Sequence, residues 1–166
     1  MSADATTVRR PIKDAAEDFL AARRVAVTGV SRSGSDHGAN VVYKRLRDRG
    51  YEVFAVNPNA TTVEGDACHP DLAAIPDGVD AVVIGTAPER AAGTIDECVA
   101  LGIGKVWFHR GPGAGSVDDD AARTARDAGM LVIDGGCPCM FGPTADTGHK
   151  VMRPFLKLTG NVPRRV

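Results

Sequence analysis

The sequence has almost no net charge, since its 166 residues include 20 lysine and arginine against 21 aspartate and glutamate, for a formal net charge of −1. It therefore has no global basic field of the kind that recruits nucleic acid. It also lacks an apolar run near the ~20 residues that a bilayer-spanning helix needs. The residues Met1 to Thr7 show no basic start followed by an apolar stretch, as a secretory signal would. We therefore expect a soluble cytoplasmic protein that binds neither nucleic acid nor membrane.

Cysteine is also scarce, and the four cysteines, Cys68, Cys98, Cys137 and Cys139, are too few and too scattered for a disulfide framework. We expect reduced thiols. Cys137-Pro138-Cys139 supplies two metal ligands where a structural zinc site usually needs four, and the spacing to Cys68 and His69 does not argue that these complete it. A dithiol oxidoreductase usually has C-x-x-C. The sequence therefore favours buried or ligand-lining thiols, and no metal is expected.

What the chain does have is a regular alternation of short apolar runs with helical patterns. The predicted strands are 25–27, 52–56, 81–84, 105–108 and 130–133, and the predicted helices are 11–20, 39–48, 71–75, 88–101 and 116–128. Strands that are apolar on both faces and alternate with helices form a parallel sheet covered on both sides. We expect one α/β domain with a Rossmann-like, doubly wound parallel sheet of five core strands in the order 3-2-1-4-5. Ligands bind such sheets beyond the carboxyl ends of the strands.

The two ends of the chain are expected to differ from this domain. The small, polar residues 1–10 are predicted to be disordered, and residues 11–140 are predicted to form the domain. Residues 141–166 carry the apolar positions Val151, Met152, Phe155, Leu156 and Leu158, which predict a terminal helix. We expect this C-terminal extension to pack on the domain or on a partner subunit, so a homodimer is a candidate assembly.

The loop after the first strand has the composition of a phosphate-binding loop. It runs from Gly29 to Gly38, with hydroxyls from Ser31, Ser33 and Ser35 and a positive charge from Arg32. Glycine allows a sharp turn and a close approach of backbone to ligand. The loop leads into a helix N-terminus, whose free N–H groups attract anions. These features together suit a diphosphate.

The same region argues against two common nucleotide sites. Ser35 and Asp36 stand where a Walker A loop has lysine and Ser/Thr, so the phosphate-gripping cation is missing. The second strand ends at Asn57-Pro58-Asn59 without the carboxylate that binds the ribose hydroxyls of NAD, and Glu52 lies at its other end. A ribose that carries a phosphate is better tolerated there. Arg32 or Arg90 could accept a 2′-phosphate, so NADP remains an alternative.

An ordered set of short motifs resembles the stand-alone CoA-binding proteins and, more distantly, the CoA-binding N-terminal domain of the succinyl-CoA synthetase α subunit. The set comprises Val27-Thr28-Gly29-Val30-Ser31, Asn40, Val56-Asn57-Pro58-Asn59, Gly65, Thr86-Ala87-Pro88, Val106-Trp107-Phe108 and Gly136-Cys137-Pro138. Each motif alone is weak, but they occur in order across residues 25–139.

The resemblance implies coenzyme A as the ligand, and it implies a place for each part of that molecule. The diphosphate would meet Gly29, Val30, Ser31 and Arg32, with Ser35 a further hydroxyl donor of the same loop. The adenosine would lie near Asn57 and Pro58, with Thr86 and Pro88 opposite, and the pantetheine would run past His109, Arg110 and Cys137.

The resemblance does not extend to a reaction. The synthetase α subunit carries its phosphorylated histidine in a second domain, and none of the four histidines here matches that motif. We therefore expect a non-catalytic or regulatory module that binds coenzyme A or an acyl-CoA, with no catalytic residues. The alternatives are an NADP-dependent oxidoreductase and the CoA-binding subunit of a split acyl-CoA synthetase.

Overall fold

The computed structural model describes residues 9–34, 38–113 and 115–166. The predictions for Ser35 and for a disordered segment over residues 1–8 lie outside the described residues. The strands are β1 (Arg24–Thr28), β2 (Glu52–Val56), β3 (Thr62–Val63), β4 (Asp66–His69), β5 (Ala81–Ile84), β6 (Lys105–Phe108) and β7 (Leu131–Asp134). The α-helices are α1 (Ile12–Leu20), α2 (Gly38–Asp48), α3 (Ala91–Leu101), α4 (Asp119–Asp127) and α5 (Thr147–Leu158). Three short 3₁₀ turns cover Pro88–Arg90, Pro138–Met140 and Gly142–Thr144.

The sheet confirms the Rossmann-like α/β prediction, but its strand count and order differ from it. Seven strands lie in the order β3-β4-β2-β1-β5-β6-β7, and each neighbouring pair is parallel except β3 with β4. The predicted third strand, 81–84, is β5 and pairs with β1, so the order 3-2-1-4-5 is wrong for the five strands that the sequence predicted. The place beside β2 belongs to β4, a short strand without an apolar run.

Two of the predicted helices also differ from the structure. Residues 71–75 form turns rather than a helix, because the Asp71 carboxylate accepts a hydrogen bond from the Ala74 N–H at 2.8 Å and Pro76 disfavours helical backbone just before it. The helix predicted from Ser116 begins at Asp119, and its N-cap is Asp118, whose carboxylate accepts from the Ala121 N–H at 2.7 Å. Ser116 is buried instead.

The core has two halves, one on each face of the sheet. One half joins α1, α2 and the C-terminal segment around Phe19, Trp107 and Phe141. The Trp107 indole N–H donates to the Gly135 carbonyl at 3.0 Å, so this buried ring leaves no polar atom unpaired. The other half packs α3 and α4 against the sheet and contains Ile95 and Phe108. Because helices pack on both faces of the sheet, the strands carry apolar side chains on both faces.

The two ends of the described chain meet. Arg10 and Val166 exchange backbone hydrogen bonds of 2.7 and 2.9 Å, and Val162 is buried in the core. Arg10 is therefore held in place, although the sequence predicted disorder up to that residue. Within the described ranges, the helices are all too short or too polar to span a membrane.

Candidate functional site

A cavity lies where the sequence predicts a ligand site, at the carboxyl ends of β1, β2 and β5. We call it the main cavity; its volume is about 320 Å³. Its walls come from the strand ends, from segment 70–72 and from α3 and the turn before it. The lining residues are Thr28, Gly29, Val56, Asn57, Pro58, Asn59, Pro70, Asp71, Leu72, Thr86, Arg90, Gly93, Thr94 and Glu97. Of the predicted site residues, the structure brings Gly29, Asn57, Pro58 and Thr86 together here.

Two asparagines hold the loop after β1 from opposite sides. The Asn40 side chain, which is only 1% exposed, accepts from the Ser31 N–H and donates to the Ser31 carbonyl, both at 2.8 Å. The Asn57 amide donates to the Val30 carbonyl at 2.9 Å. The Val30 side chain is fully buried in the core. The Ser31 N–H is already used by Asn40, and the Ser31 hydroxyl accepts from the Ser33 N–H at 3.2 Å and lies 3.3 Å from the Ser33 hydroxyl.

Two glycines make a close backbone crossing at the wall of the main cavity. Gly29 has φ +76°, and a Cβ there would lie 2.6 Å from the Gly85 carbonyl oxygen and 2.8 Å from the Thr86 nitrogen. A Cβ on Gly85 would lie 2.6 Å from the Ala39 Cβ. The β1 loop, the β5 loop and α2 can therefore approach this closely only because both residues lack side chains.

The Thr86 hydroxyl is a polar group without a protein partner. Its oxygen is buried and has no hydrogen-bond partner among the described residues, although the residue lines the main cavity. A buried polar atom normally finds a partner, and leaving it unpaired costs about 1–3 kcal/mol. A ligand in the main cavity would supply that partner.

Arg32 lies next to the main cavity rather than in it. It lines an adjoining surface cavity of about 450 Å³ that shares Pro58, Asn59 and Pro70 with the main cavity. Its side chain is exposed. Arg32 therefore offers a positive charge at the outer rim of the site, close to the loop that follows β2.

His109 and Cys137 line a different, smaller cavity of about 120 Å³, which we call the thiol cavity. Its walls are Gly38, Val41, His109, Gly111, Pro112, Cys137, Met140, His149 and Met152. The His109 ring packs against the start of α2, because a Cβ on Gly38 would lie 2.7 Å from the His109 Cε1. Arg110 lies beside it, and its Nε is buried with no hydrogen-bond partner in the described chain.

The cysteines are all free thiols, as the sequence predicted. Cys137 and Cys139 are buried and interact with each other. A hydrogen bond from Cys137 lowers the pKa of the Cys139 thiol, and the nearby positive charge of Arg45 acts in the same direction. The pKa of Cys137 is raised, first because it donates that hydrogen bond and then because it is buried.

Sequence reasoning missed Thr94 and Glu97, which α3 contributes to the wall, and it named Arg90 only as a possible contact for the 2′-phosphate of NADP. Arg90 and Thr94 line the main cavity, as does Glu97, whose carboxylate accepts from the Leu72 N–H at 2.9 Å. Pro88 begins the 3₁₀ turn that leads into this helix. The signal in the sequence was the i, i+3/i+4 spacing of Arg90, Thr94 and Glu97, which places them on one helical face.

The chain is similar to several known proteins. Residues 23–143 match the CoA binding domain family. A hypothetical protein from Pyrococcus horikoshii is 28% identical in structure-based comparison, with a TM-score of 0.69 over 78% of this chain and 91% of that chain. Acetate–CoA ligase (ADP-forming) I of Archaeoglobus fulgidus is 34% identical over 74 residues, which are 45% of this chain and 11% of the ligase.

A second acyl-CoA-forming enzyme matches over a longer part of the chain. The dinucleotide-forming acetyl-coenzyme A synthetase 1 of Candidatus Korarchaeum cryptofilum, in complex with phosphate and ADP, is 27% identical with a TM-score of 0.57. The match covers 67% of this chain and 25% of that one, so this chain spans only a fraction of either enzyme. The family model, in contrast, covers most of the chain, and the chain therefore belongs to the CoA binding domain family.

Proposed function

We propose that this protein binds coenzyme A, free or acylated, across the carboxyl edge of the sheet, as a binding or regulatory module without catalytic residues of its own. The observation that carries the proposal is the buried, unpaired Thr86 hydroxyl at the wall of the main cavity. The adenosine end of the ligand would occupy that cavity beside Asn57 and Pro58. The Gly29 turn and Arg32 would meet the diphosphate, where backbone and a positive charge are both within reach.

The pantetheine arm would run from the main cavity toward the thiol cavity. Gly38 at the start of α2 lies against His109, and both line the thiol cavity with Cys137. This direction follows the strand order, because β1 and β5 are neighbours and β6 lies next to β5. It would bring the ligand's thiol end near His109 and Cys137 and leave Pro88 on the nucleotide side.

NAD is the weaker ligand for this site. The strand-two carboxylate that an NAD site uses is absent, and Glu52 lies at the opposite end of β2, where it pairs with Arg24. Glu97 brings a carboxylate to the main cavity from α3, but its Oε2 already accepts from the Leu72 N–H. NAD therefore gains no ribose contact of the usual kind, and NADP is the nicotinamide cofactor that stays an alternative.

A role as the CoA-binding subunit of a split acyl-CoA synthetase is the second candidate. It is supported by the similarity to two much longer acyl-CoA-forming enzymes, of which this chain matches 11% and 25%. In that case the remaining domains would lie on another chain. Co-purification from the native organism, with mass spectrometry of any large partner, tests this candidate separately from binding.

The experiment that tests CoA binding is calorimetric titration with CoA, NADH and NADPH, on the wild-type protein and on Thr86→Val. The substitution removes one hydroxyl and keeps the shape. We expect about tenfold weaker CoA binding, ~1.4 kcal/mol, from the lost ligand hydrogen bond. The unliganded variant should unfold at the same or a slightly higher temperature, because no protein hydrogen bond is lost.

Thr124→Val is the matched control, since Thr124 is an exposed residue of α4 whose hydroxyl donates within that helix, to the Asp120 carbonyl. It should leave CoA binding unchanged. No heat of binding with millimolar CoA, or equal binding by wild type and Thr86→Val, would contradict the proposed site. Tighter binding of NADPH than of CoA would favour the oxidoreductase alternative.

A further inference from the structure

Two buried thiols and a histidine meet beside the thiol cavity, and Cys137 and His149 line its wall. The Cys137 and Cys139 sulfurs and a ring nitrogen of His149 all lie within 4.8 Å of one another. The sequence predicted no metal site because C-x-C supplies only two ligands. The third donor comes from the first turn of α5, in the C-terminal segment, and only the fold brings it to the thiols.

The two thiols are presented by a rigid turn. Cys137 and Cys139 flank Pro138 at the start of a 3₁₀ turn, which the Met140 N–H closes by donating to the Cys137 carbonyl at 3.0 Å. The Thr144 hydroxyl, itself buried, bonds the Pro138 carbonyl at 2.7 Å. The sulfurs are therefore preorganised by hydrogen bonds that do not involve them.

The histidine is oriented by a carboxylate in the way that metal-ligating histidines usually are. The Asp146 Oδ2 lies 2.8 Å from the His149 Nδ1, and Asp146 also accepts from the His149 backbone N–H as the N-cap of α5. Arg45 pairs with the same carboxylate at 2.7 Å, which balances its charge. With Nδ1 donating to Asp146, the Nε2 lone pair is the one left to bind a metal ion.

We propose that Cys137, Cys139 and His149 form a zinc site with three protein ligands and one open position on the thiol cavity. Two thiolates and one imidazole are soft or borderline donors, which select Zn²⁺ over Mg²⁺ or Ca²⁺. Two thiolates also neutralise the ion, so the bound site carries no net charge into its buried surroundings. A three-ligand set leaves a fourth tetrahedral position for water or an incoming thiol. The proposal does not depend on CoA binding.

The test is Co²⁺ titration of the full-length protein under a metal-free reductant, followed by displacement with Zn²⁺. Cobalt bound by thiolates gives an intense near-ultraviolet charge-transfer absorption. We expect this band to saturate at one equivalent, to vanish when Zn²⁺ is added, and to be lost in Cys139→Ser. His149→Ala and Asp146→Asn should weaken Co²⁺ binding at least tenfold. His149 and Asp146 are partly exposed, so these variants keep the test valid if the cysteine variant fails to fold.

Cys98→Ser is the matched control, because Cys98 is an equally buried thiol on α3, in the other half of the core. It should bind Co²⁺ like the wild type. Absence of the thiolate band in the wild-type protein would overturn the proposal, as would a band that survives in both Cys139→Ser and His149→Ala. Loss of the band in Cys98→Ser alone would also overturn it.

Discussion

At the scale of single residues, the close crossing of two loops at the wall of the main cavity depends on Gly29 and Gly85, which lack side chains. The two loops that they belong to come from neighbouring strands, β1 and β5, and cross at a distance that no Cβ tolerates. Gly29 also adopts a left-handed backbone, with φ +76°. Gly29 therefore allows both a left-handed backbone and a close contact with the β5 loop, and substitutions can separate the cost of one from the cost of the other.

Gly29→Ala should lower the free energy of unfolding by about 3 kcal/mol, the sum of a left-handed strain of ~1–2 kcal/mol and an overpacking cost of ~1–3 kcal/mol. Gly50→Ala is the control, because Gly50 has φ +81° but a Cβ there would meet nothing within 4 Å. In Gly50→Ala the free energy of unfolding should fall only by the ~1–2 kcal/mol of left-handed strain. Urea unfolding of both variants measures the difference, and equal losses would show that the loop crossing yields without cost.

At the scale of elements, the strands β1, β2, β5, β6 and β7 were predictable because each has an apolar run that packs into the core. The β3–β4 hairpin was not predictable from the sequence, because at the sheet edge its strands are defined by backbone hydrogen bonds rather than by an apolar run. Its two-residue turn, Glu64-Gly65, has positive φ at both positions, 49° and 83°, as type I′ turns require. An Asn-Gly pair would have predicted such a turn from the sequence, whereas Glu-Gly does not.

The candidate site, too, could be predicted from the sequence only in part. The loops at the strand ends could be predicted, because parallel strands place their carboxyl ends at one edge. The contributions of Glu97 from α3 and His149 from α5 could not, because they depend on how each helix is rotated against the sheet. Asn57 was predicted as a ligand contact, but its side chain also holds the β1 loop, a role visible only from its bond to the Val30 carbonyl.

The edge hairpin is tied to α2 through Asp66, which predicts a pH dependence. Its carboxylate accepts from Arg47 at 2.6 Å and from the Tyr43 hydroxyl at 2.8 Å, and these bonds lower its pKa, with Arg47 the larger cause. A lowered pKa stabilises the fold above the unfolded value of 3.8, and the contribution is lost as pH falls through the lower folded value.

Asp66→Asn should therefore destabilise the protein at pH 7 and lose that effect in acid. The charges are partly exposed, so solvent screening keeps the pH-dependent part to about 1 kcal/mol or less. Urea unfolding at pH 7 and near pH 3 measures the difference in the free energy of unfolding between wild type and variant. For Asp96→Asn, at an exposed position on α3, the difference from wild type in the free energy of unfolding should not decrease in acid. A gap that stays constant with pH would mean that Asp66 acts through shape alone.

At the scale of the whole molecule, the C-terminal segment closes the fold and leaves one apolar face open. Leu156 and Val162 are buried, and the last residues pair with Arg10 and Ile12. On the other side of α5, Val151, Phe155 and Leu158 are 61%, 65% and 79% exposed. Their i, i+4, i+7 spacing forms one continuous stripe, and such exposed apolar stripes mark interaction surfaces.

A second copy of the chain is the occupant that we expect for this stripe, because a twofold contact between two α5 helices would bury each stripe against itself. Phe155→Glu should then weaken the dimer at least tenfold, which corresponds to ~1.4 kcal/mol. Val99→Glu is the matched control, since Val99 is 49% exposed on α3, away from α5, and should leave the dimer intact. Sedimentation equilibrium over a range of concentrations measures both. A wild-type protein that stays monomeric throughout, or equal dissociation by the two variants, would rule out this interface.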